Sequence, residues 1–169
     1  MLLVSSAKGP EKVENRTFRH FGAEAFDMKK FVPVTNTSGF RCKPTGGLWA
    51  SPVDHPEGWD AWCRAEEFHL SSLSKYFDFR LWEGTRVARV DSLLDLEHWI
   101  RLYPHPAPLA GMGFGDEHPT IDFESLKRDF DVIELTGRGQ GTTRLTKPNL
   151  YGWDCACILV LRKSVVIPL

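Results

Sequence analysis

Lys43-Pro44-Thr45-Gly46-Gly47-Leu48-Trp49-Ala50-Ser51-Pro52 sets a tryptophan two positions ahead of a serine, after a glycine pair and before a proline. The glycines permit a turn and a close backbone approach, and Leu48 to Ser51 reads as a short strand that Pro52 stops. Side chains alternate along a strand, so Trp49 and Ser51 share a face offering an aromatic surface and a hydroxyl, which suits a flat heterocycle. The segment also reads as a Gly-Gly turn into a buried strand, since Gly and Pro often only punctuate. Other reactive residue types stand around it. Phe18-Arg19-His20-Phe21 sets a cation and an imidazole between aromatics, and Asp54 to Cys63 opens a helix with Trp59 and Trp62 on one face. Tyr151-Gly152-Trp153-Asp154-Cys155-Ala156-Cys157 runs into apolar Ile158 to Leu161, a buried-strand signal.

An Arg or His on an early strand, a hydroxyl closing a second strand before a helix, and an acidic position at the mouth of a late strand follow in order as Arg19 or His20, Ser51 and the stretch from Asp154 to Cys157. That order resembles the ADP-ribosyltransferase fold family, from about Phe18 to the end of the chain. The resemblance implies an α+β domain over residues 1–169, a compact mixed β-sheet core with flanking short helices. It implies an enzyme that transfers ADP-ribose from NAD to a macromolecular acceptor, protein or nucleic acid, with NAD as substrate and no metal. On it, Arg19 pairs with a phosphate and His20 with the adenosine ribose. Gly47 and Leu48 bring backbone amides to the nicotinamide, Trp49 or Tyr151 forms a wall, and Ser51 positions the catalytic acid or the nicotinamide ribose. Small family members are often toxins, antiphage effectors or phage-borne modifiers, so a cognate neutralising protein is implied too.

The family's third motif normally supplies a Glu at the start of the strand, and here that slot falls at Ala156. Three explanations stay open: Asp154 replaces the Glu, the chain is an inactive relative, or Ala stands where a catalytic Glu was exchanged. Ala156 is expected to face the cleft, where a methyl leaves the chain slow or inactive. Glu134, in the strand-like Asp131 to Leu135, is a further acid. A second reading is a domain that binds a nucleotide or nucleic-acid end without catalysis, helped by Arg138, Arg144 and Lys147. A third is an interaction protein that docks a partner through its tryptophans.

The elements around these residues follow from pattern. With 169 residues and 42% hydrophobic content the chain can bury a core without disulfides, and a net charge of −1 offers no global attraction for nucleic acid or an anionic membrane. No run approaches the roughly 20 apolar residues of a membrane span, and the start lacks a basic leader, so a cytoplasmic protein is expected. Cys42, Cys63, Cys155 and Cys157 read as buried reduced thiols, with a zinc site as the alternative; Cys155 and Cys157 share a strand face. Residues 1–16 read as a loose arm. Strands are predicted at 77–81, 86–90, 131–135, 157–161 and 165–167, and helices at 91–100 and 122–129. The stretch from Thr35 to Gly39 and the proline-rich 104–119 read as loops, the first placed to reach over a ligand. Thr136 to Arg144 lacks the residues of a phosphate loop and reads as a flexible hairpin tip.

Overall fold

The computed structural model describes residues 11–12, 16–36, 42–105 and 118–169. Among these residues the eight strands are β1 (Glu11–Lys12), β2 (Thr17–Phe21), β3 (Leu48–Pro52), β4 (Tyr76–Leu81), β5 (Arg86–Val90), β6 (Val132–Leu135), β7 (Cys157–Val160) and β8 (Val166–Pro168). The helices among the described residues are α1 (Trp59–Ala65), α2 (Leu93–Leu102), α3 (Phe123–Asp129) and α4 (Gly137–Thr143), with 3-10 turns at Leu70–Ser74 and Lys163–Val165. The strands form one mixed sheet in the order β1-β5-β6-β7-β3-β2-β4-β8. Only β5 and β6 run parallel; the other neighbours are antiparallel. This is an α+β architecture. Among the described residues no helix is long and apolar enough to cross a membrane.

Alternation gives the sheet two apolar faces. Ala88, Val90, Ile133, Leu135 and Leu159 pack with Leu96, Trp99 and Ile100 of α2 and with Phe123 and Leu126 of α3. Phe18, Leu48, Ala50, Phe79, Val132, Ile158 and Val160 belong to the second core, bordered by Phe26 and Phe31. Helix α2 begins at a capping box: Ser92 Oγ accepts from the Asp95 amide and Asp95 returns a carboxylate to the Asp91 amide. Its buried stripe is Leu96, Trp99 and Ile100, with Leu93 half-buried.

Two predicted segments differ. Within the expected loose arm, Glu11 and Lys12 pair with Val87 and Arg86 of β5 as a short edge strand. The expected hairpin tip is helix α4, because Thr136 caps it by accepting from the Gly139 amide and the glycines let it pack close. A Cβ on Gly139 would stand 2.2 Å from the Val90 carbonyl oxygen. Most of the two predicted loops, residues 37–39 of the first and 106–117 of the second, lies outside the described residues.

Candidate functional site

The cleft lies where β2, β3 and β7 are neighbours. Register sets Arg19 of β2 opposite Ser51 of β3, and Trp49 of β3 opposite Leu159 of β7. Gly46 and Gly47 both hold positive φ, and a Cβ on Gly47 would meet Leu159 Cδ1 at 2.4 Å and the Val160 carbonyl at 2.8 Å. The glycine pair therefore seats the turn against β7. A cavity of about 390 Å³ results, within the usual size range of small-molecule sites. Arg19, Phe21, Trp49 and Ser51 line it from β2 and β3, and Trp153, Asp154, Cys155 and Cys157 from the lead-in and start of β7. Trp59 of α1, Phe68 and His69 beyond it, and Lys43 complete the wall.

Its aromatic surface is built from contacts between rings. Trp49 meets the edge of Trp153 at 4.6 Å, and Trp153 is fixed by its indole N–H on the Cys42 carbonyl at 2.8 Å. Trp59 stacks on Trp62 at 5.2 Å. Lys43 Nζ lies 4.5 Å from the Trp49 ring centre, and among the described residues it makes no ion pair. Arg19 is held in a two-pronged pair, Nε and Nη2 to the Asp78 carboxylate at 2.7 and 2.8 Å, with its guanidinium 3.9 Å over Tyr76. The pairing raises its pKa, so it is a fixed cation.

Ser51, only 2% exposed, is a junction. Its hydroxyl accepts from the Trp59 amide at 2.9 Å, donates to the Ala156 carbonyl at 2.9 Å, and lies 3.8 Å from Cys155 Sγ. One oxygen thus ties β3, the first turn of α1 and the approach to β7. Asp154 is the one acid among the described lining residues, and Arg144 Nη1 donates to its Oδ1 at 3.1 Å.

The thiols fall into two kinds. Cys155 lies below its ordinary pKa chiefly through its interaction with Cys157, with the charge of Lys43 assisting against burial. Cys157 lies well above, because of that interaction and its burial. Burial pushes Cys42 up to about 12 and Cys63 up to about 11. All four are unbridged. Among the described residues no group of three or more His, Cys, Asp or Glu side chains is placed to hold a metal ion.

Of the residues named from sequence, Arg19, His20, Trp49, Ser51 and Asp154 border one cavity. His20 is occupied there, with Nδ1 2.7 Å from the Trp49 carbonyl oxygen and its ring against Phe77 at 5.2 Å. Four expectations are not met. Leu48 is packed in the second core, and Gly47 is closed in by Leu159 and Val34 rather than open to a ligand. Tyr151 is 53% exposed beside Arg144, outside the lining. Ala156 is 2% exposed and also outside it, while Cys155 and Cys157 on either side line the cavity. Trp49 pairs with Leu159, so alternation back along the chain puts Cys157 and Cys155 on the Trp49 face and Ala156 on the other. Glu134 stands on the other face of the sheet, in register with Ile158, and binds Arg16 and Arg89. Lys43, Phe68 and His69 were missed. Glu67 and His69 carry φ of 51° and 47°, a backbone path with no glycine to announce it. Comparison of the chain with models of protein families, with curated proteins and with solved structures finds no match.

Proposed function

We propose that the cleft holds NAD and that the chain is an ADP-ribosyltransferase of the fold family it resembles, with Asp154 as the carboxylate that steadies the reacting ribose. The observation that supports this reading is the meeting of Arg19, Ser51 and Asp154, from three separate segments, around one aromatic cavity. Cleaving nicotinamide from NAD is heterolysis of a glycosidic bond, so the transition state carries oxocarbenium charge that a nearby carboxylate stabilises. Trp49 and Trp59 offer faces for the flat ring. Lys43 and the fixed guanidinium of Arg19 answer the diphosphate. Ser51, with its hydroxyl engaged on both sides, positions the walls and takes no part in proton transfer.

A binding module without catalysis is favoured by one observation: Asp154, the single acid among the described lining residues, is already engaged by Arg144. One experiment separates the two. NAD labelled in its adenylate part is incubated with the full chain, with and without cell lysate, while nicotinamide release and the melting temperature are read. The enzyme reading expects release, a rise in melting temperature with NAD, and at least about a 100-fold loss of release in Asp154→Asn with the thermal shift kept. A thermal shift without release supports the binding module. Neither signal overturns both.

A further inference from the structure

Cys155 and Cys157 border the same cleft from one short segment. Two residues of extended strand span about 6.6 Å between Cα atoms, at the upper end of the roughly 4.4–6.8 Å that a disulfide bridges. Two positions apart, the two side chains leave the same face of the strand toward the cavity, and Ser51 Oγ stands 3.8 Å from Cys155 Sγ. The charge of Lys43 favours a thiolate at Cys155, while neighbouring Asp154 acts against it. Neither Cys42 nor Cys63 lines the cavity.

We propose that Cys155 is a nucleophilic thiol and Cys157 its resolving partner, together a dithiol site that reacts with small disulfides such as oxidised glutathione. Cys155 Sγ attacks one sulfur of the disulfide, forming a mixed disulfide and releasing the other half as a thiolate that takes up a proton. Cys157 Sγ then attacks Cys155 Sγ; the S–S bond to the adduct breaks, and the proton of Cys157 leaves with the second thiol. One dithiol is oxidised and one disulfide is reduced to two thiols, with no other reactant. A bridge closed across a single residue is strained, and strained bridges are readily reduced again. The site lies in the cleft proposed for NAD, but its chemistry does not depend on NAD binding there.

The test uses the full chain, reduced and then freed of reductant, incubated with oxidised glutathione and followed by intact mass and fragment spectra. The parent is expected to lose two hydrogens between Cys155 and Cys157, reversibly with dithiothreitol. Cys157→Ser should stop at one glutathionyl adduct on Cys155, and Cys155→Ser should show neither product. In the folded parent, iodoacetamide should label Cys155 at least about tenfold faster than Cys42 or Cys63; this arm needs no variant to fold. Equal labelling of the cysteines, or a Cys157→Ser adduct carried by Cys42 or Cys63, overturns the assignment.

Discussion

Ser51 shows how one atom can look catalytic in a sequence and structural in a fold. Its oxygen accepts the Trp59 amide and its proton goes to the Ala156 carbonyl, so no lone donor remains for a substrate. Ser51→Ala leaves both partners short of a bond in a buried place and is expected to cost roughly 2–3 kcal/mol, read as a lower denaturant midpoint. Ala156 carries a second test. A carboxylate placed there by Ala156→Glu enters a 2% exposed position outside the cavity lining. The variant is expected to lose several kcal/mol of stability and to gain no nicotinamide release. A gain in release would mean that the new side chain reaches the cleft. The pairing of Trp49 with Ser51 on one face was legible from period two alone. The exchange of Ala156 for Cys155 and Cys157 as cleft residues was not, because it depends on which residue of β7 pairs with Trp49.

At the scale of elements, capped helices and alternating strands were readable, and the glycine-rich stretch was not. Helix α4 holds three glycines in the seven residues Gly-Arg-Gly-Gln-Gly-Thr-Thr, so local propensity points to a turn. Its helical form comes from the Thr136 cap and from contact with β5 that only a glycine allows. Gly139→Ala is therefore expected to destabilise the protein by about 2 kcal/mol or more, since its methyl meets the Val90 carbonyl oxygen at 2.2 Å. Gly141→Ala, with nothing within 4 Å, should stabilise by about 0.5–1 kcal/mol. Opposite signs in thermal melts check the pair. Helix α3 supplies a pH test. Burial opposes the charge of Asp122, but hydrogen bonds from Asn36 and Ser125 outweigh it and hold its carboxyl below the usual range. Its contribution is then present above the ordinary carboxylate pKa of about 3.9 and lost as pH falls through the lower folded value. Asp122→Ala should cost about 1 kcal/mol at neutral pH, with the gap to the parent closing in acid.

For the molecule as a whole, the sheet keeps its charges on opposite sides. Glu134, 4% exposed, is pinned by Arg16 at 2.7 Å and Arg89 at 3.2 Å on the face away from the cleft. Glu134→Gln leaves two guanidinium groups without their shared anion and is expected to cost about 3 kcal/mol, the low end for breaking a buried pair because both arginines keep contact with solvent. Nicotinamide release should survive in that variant, which a catalytic Glu134 would forbid. Mixed-sheet class followed from strand and helix patterns; which acid faced which side followed only from register. The tryptophans are distributed as unevenly as the charges. Of six in the chain, Trp49, Trp59 and Trp153 line the cavity and Trp62 stacks on Trp59, leaving Trp82 and Trp99 elsewhere. Most of the protein's ultraviolet emission therefore originates around one cavity, and an aromatic guest arriving there should dim it without any attached dye.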